Sequence, residues 1–258
     1  KKRGFRNYYY ISPQVWAWKE KRAEIIKKYI DEFYVVLPFE KNYFKKKHNI
    51  NSNYFGHPLI DDIENFEPQL ISFNKKPIIS ILPGSRKQEI EKILYRVIDV
   101  CQFFPEFQFV IAGVKHIDSE IYNNIISRSN SKIEIIYDNT YSLLKSSKLA
   151  IVTSGTATLE TALLNIPQMV CYVTNPINIF LAKLLIKIKF ISLVNLIFDK
   201  KVINEFIQSD VNIPNIKNEI NLLLGQKGER IKEEYKSLRK SLGNKGVSER
   251  ISAHIVNS

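Results

Sequence analysis

The sequence predicts an α/β fold whose parallel sheet is covered by helices on both faces. Short, continuously apolar runs of strand length alternate along the chain with segments of helical periodicity, which is the pattern of βα units. Apolar residues make up 45% of the 258 residues, and Gly and Pro are sparse, with 9 and 10 copies. This composition is typical of an ordered globular protein that can bury one large core or two smaller ones.

The first 65 residues carry too few strands for a complete sheet. Their predicted elements are, in order, a strand, a helix, a second strand and a basic helix or loop, at 8–12, 15–30, 32–38 and 39–49. Turn chemistry follows at Gly56 and Pro58. We therefore interpret 1–65 as the remainder of an N-terminal α/β domain, and the irregular polar segment 66–76 as a linker.

The clearest alternation of strands and helices fills residues 77–230. Five strands are predicted there, at 77–83, 107–113, 132–138, 148–154 and 168–174. Each of the first four is followed by a segment with helical spacing of its apolar positions. We interpret this range as a complete α/β domain, and the charged helical segment 231–258 as a C-terminal tail.

Charge and cysteine content limit the classes of partner and site. The 38 Lys and Arg residues exceed the 26 Asp and Glu residues, giving a net charge of +12. This favours an anionic partner, although an AT-rich coding sequence also enriches Lys.

Cys101 and Cys171 lie far apart in apolar runs and the four histidines are scattered, so we expect buried thiols in a reducing compartment and no zinc site. No motif that combines basic and aromatic residues supports nucleic-acid binding.

Two loops are candidates for ligand binding, because ligands of open parallel sheets bind beyond the carboxyl ends of the strands. The first loop is LPGSRKQEI, residues 82–90. Gly84 allows a tight turn, Ser85 can cap the following helix, and Arg86 beside the positive helix end suits a phosphate. The alternative is an ordinary helix cap with a surface arginine. The spacing is not that of a Walker loop.

The second loop is TSGTATLE, residues 153–160. Ser154, Gly155 and Thr156 again open a helix, and Glu160 lies one turn after Thr156 on the same face. A carboxylate at that position could accept two hydrogen bonds from ribose hydroxyls. The alternative is a variant of the capping box, with an acidic residue favoured by the helix dipole. The local spacing leaves both interpretations open.

Seven motifs occur together and in order: ISPQVWAW (11–18), LPFE (37–40), GHPLID (56–61), LPGSRKQEI (82–90), SGTATLE (154–160), NP (175–176) and ISLVNLI (191–197). By these motifs most of the chain resembles the lipid-A-disaccharide synthase family, glycosyltransferases of the GT-B type with two Rossmann-like halves. SGTATLE alone is less specific, because related nucleotide-sugar enzymes share its outline. In this resemblance 77–230 is the nucleotide-sugar-binding domain and 1–65 the acceptor side.

The resemblance implies a reaction. The family transfers 2,3-diacylglucosamine from UDP-2,3-diacylglucosamine to 2,3-diacylglucosamine 1-phosphate (lipid X), giving the β-1′,6-linked disaccharide and UDP in lipid A biosynthesis. It implies a cytoplasmic enzyme peripherally associated with the bacterial inner membrane, with no metal or organic cofactor and no nucleic-acid partner. The oligomeric state stays open, a homodimer being one alternative.

The resemblance also implies roles for particular residues. Those implied to bind the UDP-sugar are Ser85, Arg86, Gly155, Thr156, Glu160 and Asn195. Arg86 would contact the diphosphate, Glu160 the ribose and Asn195 the nucleotide or its phosphates, while the other three would supply main-chain and hydroxyl donors. From the residues alone, Asn195 can equally be an Asn in a short apolar strand or turn that bonds its own backbone.

On the acceptor side the candidates are Ser12 and Gln14, which end the first strand, and His57, which we interpret as a hinge contact rather than a catalyst. The general base of the family, an aspartate, would belong to a segment upstream of Lys1. We therefore interpret the sequence as N-terminally incomplete and assign no residue as the base. The 258-residue chain alone is expected to have little or no transferase activity.

The longest apolar stretch, 177–198, carries Lys183, Lys187 and Lys189, which make a membrane-spanning helix costly. Lys183 and Lys187 are four residues apart, so one interpretation is a basic amphipathic helix that lies in the membrane interface. The other is a helix packed under the sheet.

Two further classes of function stay open. The chain could be another UDP-sugar enzyme of the same fold, an epimerase or a cell-wall glycosyltransferase, against which ISPQVWAW and ISLVNLI argue. It could also be a nucleotide-binding or membrane-binding module without catalysis. UDP binding, compared with binding of RNA or DNA, would separate these classes from a nucleic-acid binder.

Overall fold

A computed structural model describes residues 4–17, 19–73, 75–174 and 189–258. The chain divides into two compact units. The described part of the first includes 4–65 and 237–258, and that of the second includes 66–174 and 190–236. The predicted interfacial helix with Lys183 and Lys187, and the NP motif at 175–176, lie outside the described residues. Within the ranges described, no helix is both long enough and apolar enough to cross a membrane.

The elements alternate along the chain much as the sequence predicts. The strands are β1 (Tyr8–Tyr10), β2 (Glu32–Val35), β3 (Asn53–Tyr54), β4 (Ile78–Leu82), β5 (Gln108–Gly113), β6 (Ile133–Tyr137), β7 (Ser147–Thr153), β8 (Gln168–Tyr172) and β9 (Glu205–Ile207). The helices are α1 (Arg22–Tyr29), α2 (Glu40–His48), α3 (Leu59–Glu64), α4 (Lys87–Val97), α5 (Ser119–Ile126), α6 (Thr140–Lys145), α7 (Thr156–Leu163), α8 (Leu193–Phe198), α9 (Ile213–Leu224), α10 (Gln226–Ser241) and α11 (Val247–Asn257), with 3-10 turns at Ile98–Phe103 and Gln208–Asp210.

The first unit is built on a parallel sheet in the order β1-β2-β3. Phe33 of β2 packs edge-on against Phe44 of α2, with 4.7 Å between ring centroids, inside a buried apolar cluster. Because side chains alternate along a strand, Tyr34 points to the other face of β2, where it packs against Val247 and Ile251 of α11. Residues 237–258, predicted to be a tail, therefore belong to this unit and cover the second face of its sheet.

Asp61 fixes the start of α11. Its carboxylate accepts the backbone N–H groups of Gly246, Val247 and Ser248 at 2.7, 3.1 and 2.9 Å. Burial alone would raise the pKa of Asp61, but these three backbone hydrogen bonds lower it below its usual value. The side chain therefore caps a helix, which satisfies donors that the helix itself leaves unpaired.

His57 is buried at the entry to α3. Its side chain is only 6% exposed, and its Nδ1 accepts the N–H of Leu59 at 3.2 Å. Burial lowers the pKa of His57 to about 4. The imidazole is therefore neutral near pH 7 and acts as a hydrogen-bond acceptor of the backbone.

We expect the free energy of unfolding of the first unit to fall by about 2 kcal/mol as the pH decreases from about 6.5 to about 4. The pKa of His57 is 6.5 in the unfolded chain and about 4 in the folded one, so the unfolded chain binds more protons between these values. Urea unfolding followed by tryptophan fluorescence measures this, because both tryptophans, Trp16 and Trp18, precede residue 66.

Two variants make this pH test specific. His57→Gln keeps an acceptor for Leu59 but cannot titrate, so its stability should change less over the same pH range. Gln14→Ala, at an exposed position of the same unit, removes no titratable group and should keep the native slope. An identical slope in the native chain and in His57→Gln would contradict the assignment.

The second unit is built on a parallel six-stranded sheet in the order β6-β5-β4-β7-β8-β9. With β4 counted as the first strand, this is the order 3-2-1-4-5-6 of nucleotide-binding α/β folds, and the direction of winding reverses between β4 and β7. Every residue of β4 and of β5 is buried, so helices cover both faces of the sheet. The predicted fold class is confirmed.

Several details differ from the predicted elements. The helix predicted over 15–30 begins only at Arg22, as α1. The short strands β3 and β9 were not predicted, and the segment around Asn195 is the helix α8 rather than a strand or turn. The segment with helical spacing after the predicted strand 77–83 is α4 followed by a 3-10 turn. Cys101 and Cys171 are free and buried, as the sequence predicts.

Candidate functional site

A cavity of about 290 Å³ lies at the carboxyl ends of the central strands β4 and β7. Residues from the ends of these strands and from the first turns of α4 and α7 form its wall. The predicted residues Ser85, Gly155, Thr156 and Glu160 all line it. The two loops that the sequence singles out therefore meet in one place, where the winding of the sheet reverses and ligands of such folds bind.

Both loops depend on a glycine in a conformation that other residues avoid. Gly84 has a φ of +108°, and a Cβ there would lie 2.8 Å from Oε2 of Glu89. Gly155 has a φ of +153°, with open space where a Cβ would stand. The backbone next to the cavity is thus bare at Gly155, which allows a ligand to approach it closely.

Arg86 is beside the cavity and not in its described wall. It occupies the N-cap position of α4, where the sequence suggested Ser85 instead. The carbonyl oxygen of Ser85 accepts a hydrogen bond from Nε2 of His116 at 3.1 Å. The guanidinium of Arg86 is 81% exposed and pairs with Glu89 at 2.9 Å. Glu89 lines the cavity, although the sequence argument passed over it.

Glu160 projects into the cavity from the second turn of α7. The N-cap of this helix is Gly155, so Glu160 is its fifth residue, two positions beyond the glutamate of a capping box. The hydroxyl of Tyr141 donates to Oε1 of Glu160 at 3.2 Å. The capping interpretation of Glu160 therefore fails, and its carboxylate lies at the cavity instead.

Thr153 contributes an unusual polar group to this region. It ends β7, lines the cavity and is only 5% exposed. Its hydroxyl oxygen has no hydrogen-bond partner among the described residues. A buried hydroxyl without a partner costs free energy, so it calls for an explanation. Its neighbour Ser154 does have a partner and donates to the carbonyl of Ile191 at 2.7 Å.

Asn195 is placed differently from the prediction. It is fully buried on α8 and is not part of the described cavity wall. Its amide nitrogen donates to Ile203 and to Glu205, and its amide oxygen accepts from Val202 and Ile203. All of these bonds hold the segment between α8 and β9, so the geometry gives no support to a direct nucleotide contact.

Glu205 of β9 is a structural residue that the sequence argument missed. Its carboxylate accepts the N–H of Ile191 at 3.0 Å, and both the N–H and the hydroxyl of Ser192 at 3.0 and 2.7 Å. Together with the bond from Asn195, these contacts fix the start of α8. Ile191, two residues before this helix, accepts a hydrogen bond from Ser154 beside the cavity. β9 has only three residues, so its sequence shows no alternation from which a structural role of Glu205 could be predicted.

The acceptor-side candidates all lie in the first unit. Ser12 is buried, with its hydroxyl bonded to the carbonyl of Pro13 at 3.0 Å, whereas Gln14 is exposed. His57 is buried and holds α3, as described above. Glu40 of the LPFE motif is nearly inaccessible and accepts the N–H groups of Trp16 and Leu37 at 3.0 and 2.9 Å. Burial raises the pKa of Glu40 despite these bonds.

No group of three or more His, Cys, Asp or Glu side chains converges as metal ligands anywhere in the ranges that the structure describes. The cavity at β4 and β7 is instead surrounded by helix N-termini, hydroxyl groups and two carboxylates. This arrangement offers hydrogen-bond donors for phosphate oxygens and acceptors for sugar hydroxyls.

Comparison with known proteins identifies the family. The family model described as lipid-A-disaccharide synthetase matches residues 1–256. The chain belongs to the lipid-A-disaccharide synthase family. The members of this family are glycosyltransferases, and the resemblance read from the seven sequence motifs is confirmed.

Individual lipid-A-disaccharide synthases match between 79% and 97% of this chain. That of Syntrophus aciditrophicus is 34% identical over 97% of this chain and 68% of its own length. The synthases of Aquifex aeolicus and Campylobacter jejuni (strain RM1221) are 38% and 39% identical, over 79% and 81% of this chain. The chain spans only 57% of the length of each of these two relatives.

Solved structures of GT-B proteins share the fold at low sequence identity. The S. aureus MnaA-UDP co-structure has a TM-score of 0.61 at 15% identity, covering 90% of this chain and 62% of that one. UDP-GlcNAc 2-epimerase from Neisseria meningitidis bound to UDP-GlcNAc has a TM-score of 0.59 at 14% identity, covering 89% and 62%. The calicheamicin glycosyltransferase CalG4 has a TM-score of 0.54 at 14% identity, covering 92% and 60%. At these identities the likeness establishes the fold alone.

Proposed function

We propose that this chain acts in lipid A disaccharide synthesis and that the cavity between β4 and β7 binds the UDP moiety of UDP-2,3-diacylglucosamine. The sugar would pass to lipid X with release of UDP. The observation that carries this proposal is the meeting of two helix N-termini and one carboxylate, Glu160, around a single cavity. Membership of the synthase family supplies the reaction.

The two helix N-termini suit the diphosphate. The first turns of α4 and α7 have backbone N–H groups without helical partners, and the helix dipoles add positive potential. Negative charge grows on the diphosphate as the glycosidic bond to the donor sugar breaks, so preorganised donors at this point would stabilise the transition state. Gly155 would let the phosphate oxygens come close to the main chain.

Glu160 suits the ribose, since an ionised carboxylate offers acceptors to two neighbouring hydroxyl groups. The solved structures from S. aureus and Neisseria meningitidis, which share this fold, hold UDP and UDP-GlcNAc. This supports a uridine nucleotide as the occupant here. Asn195 would act indirectly, by holding the segment that Ser154 contacts.

Arg86 would act from the rim of the cavity. In the absence of ligand its guanidinium pairs with Glu89, yet most of its surface is exposed, so it is free to turn to a diphosphate. A bidentate contact with phosphate oxygens would then replace a solvent-exposed ion pair of little stability. The carboxylate of Glu89 would lie close to the diphosphate. In a variant without the Arg86 guanidinium, its negative charge would lower the affinity for UDP.

Both substrates carry acyl chains, so we further propose that the protein works at the cytoplasmic face of the inner membrane. The net charge of +12 supports attraction to a surface rich in anionic lipid.

Isothermal titration with UDP, UMP and uridine tests the proposal. The native chain is expected to bind UDP more tightly than UMP and much more tightly than uridine, because the diphosphate supplies the charge. Arg86→Gln should weaken UDP binding about tenfold and leave uridine binding unchanged. Glu89→Gln should strengthen UDP binding.

Arg128→Gln is the matched control for charge, because Arg128 packs over Tyr95 away from the cavity wall. It should bind UDP like the native chain. A native chain that binds RNA but shows no saturable binding of UDP would overturn the proposed function.

A further inference from the structure

A second, basic cavity of about 230 Å³ lies at the other end of the second unit's sheet. It is formed by the loop between α8 and β9 and by the first two turns of α10. Since this loop leads into a strand, the cavity lies toward the amino ends of the strands, whereas the proposed UDP site lies at their carboxyl ends. Four of its seven lining residues are cations: Lys200, Lys201, Lys227 and Arg230.

Two of the four cations already have carboxylate partners. Nζ of Lys200 binds both carboxylate oxygens of Glu234, at 2.9 and 2.8 Å. Nζ of Lys227 binds both oxygens of Glu219, at 2.6 and 2.8 Å, and Glu219 is 1% exposed. These pairs hold two cationic groups in place at the wall of the cavity. The ammonium of Lys227 has little freedom to move, because its partner Glu219 is buried.

The other two cations, Lys201 and Arg230, make no ion pair with any residue that the structure describes. Both are exposed, and both line the same cavity. Cations that share a cavity repel one another, and a bound anion would remove that repulsion. A guanidinium and an ammonium facing one space are the groups that proteins use for phosphate oxygens.

We propose that this cavity binds a phosphate group, as a phosphomonoester or phosphodiester anion. The other three lining residues are Val202, Ile231 and Glu234, and the carboxylate of Glu234 is bound by Lys200. The apolar side chains of Val202 and Ile231 can pack against the carbon atoms next to the phosphate. The proposal does not depend on the UDP site, which lies at the carboxyl ends of the strands.

The test uses the complete 258-residue chain labelled with nitrogen-15. Sodium phosphate is titrated against sodium chloride of equal ionic strength, and the backbone amide signals of Val202 and Ile231 are followed. We expect a saturable shift of these signals in the native chain. Lys201→Gln/Arg230→Gln should weaken the phosphate affinity read from these two signals by at least about tenfold. Phosphate that enters the UDP cavity is read separately, from Ser85 and Gly155.

Lys145→Gln/Lys148→Gln is the control variant, because it removes the same charge from exposed positions outside the cavity. It should keep the native affinity. The absence of a saturable shift at Val202 and Ile231, or a native affinity in Lys201→Gln/Arg230→Gln, would overturn the proposal.

Sedimentation with vesicles identifies the source of the phosphate. If the cavity binds a lipid headgroup, Lys201→Gln/Arg230→Gln should bind phosphatidylglycerol vesicles more weakly than Lys145→Gln/Lys148→Gln does. Neither variant should bind phosphatidylcholine vesicles more than the native chain does. If it takes a soluble phosphate ester, both variants bind the vesicles equally and only the phosphate titration separates them. Either result, together with the shift at Val202 and Ile231, supports the phosphate site.

Discussion

Glu160→Ala is expected to weaken UDP binding about a hundredfold while leaving the binding of inorganic pyrophosphate unchanged. The proposed contacts are two hydrogen bonds from ribose hydroxyls to an ionised carboxylate, and bonds to charged groups contribute about 1.5–3 kcal/mol each. Pyrophosphate has no ribose, so it reports only on the helix N-termini and Arg86. Calorimetric titration of both ligands into the same variant separates the two halves of the proposed site.

Glu106→Ala is the matched control for Glu160→Ala, since it removes an exposed carboxylate outside the cavity wall. It should bind both ligands like the native chain. Thermal unfolding of Glu160→Ala is measured as well, because Tyr141 loses a hydrogen-bond partner in this variant. Native UDP affinity in a folded Glu160→Ala protein would rule out the ribose assignment, whereas equal loss for both ligands would point to a collapsed cavity.

Gly228→Ala is expected to destabilise the second unit by about 3 kcal/mol or more, the upper range for an overpacked site. Gly228 lies in the first turn of α10, against the end of α9. A Cβ there would stand 2.1 Å from the carbonyl oxygen of Leu223, which is backbone and cannot rotate away. Either α9 or α10 would have to shift. Urea unfolding followed by circular dichroism measures the loss.

The same junction provides the control for Gly228→Ala. A Cβ at Gly225 would have its nearest neighbours at 3.7 and 3.8 Å, the carbonyl oxygens of Leu222 and Asn221. The φ of Gly225 is −105°, which other residues also adopt. Gly225→Ala should therefore stay within about 1 kcal/mol of the native chain. Equal losses in the two variants would mean that the junction resists any side chain, and that the 2.1 Å contact is not the cause.

Sequence patterns predicted most of the second unit because its strands are buried on both faces. Such strands appear as uninterrupted apolar runs, as in β4, β5 and β8, and the helices between them keep their own spacing. The two-residue β3 and three-residue β9 were not predicted, because so short a strand has no measurable period. A strand or turn was one interpretation of α8 because five of its six residues are apolar and two of these are β-branched, although the cap at Ser192 was present as a signal.

The position of the candidate site was predicted from two tight turns that each lead into a helix, and Glu160 was predicted from its place on the second of these helices. Gly84 and Gly155 mark tight turns, and such turns before a helix can be recognised in a sequence. The hydrogen-bond partners of Arg86 and Asn195 could not be predicted in the same way. Glu205 is ten positions from Asn195, and their side chains come within 2.8 Å because the chain folds back between α8 and β9. A resemblance to a family indicates which residues correspond to its functional residues, but it does not indicate which other residues they contact.

The pairing of β4 with β7 also has a consequence for the order of events in folding. The hydroxyl of Ser80 on β4 donates to the carbonyl of Leu149 on β7, which is 69 positions further along the chain. A parallel pair so distant cannot form by zipping from a turn, and closing so long a loop costs entropy before any contact repays it. The cavity exists only once this central pair is joined. Uridine nucleotides are therefore expected to bind a late species on the folding route, and to slow unfolding far more than they speed refolding.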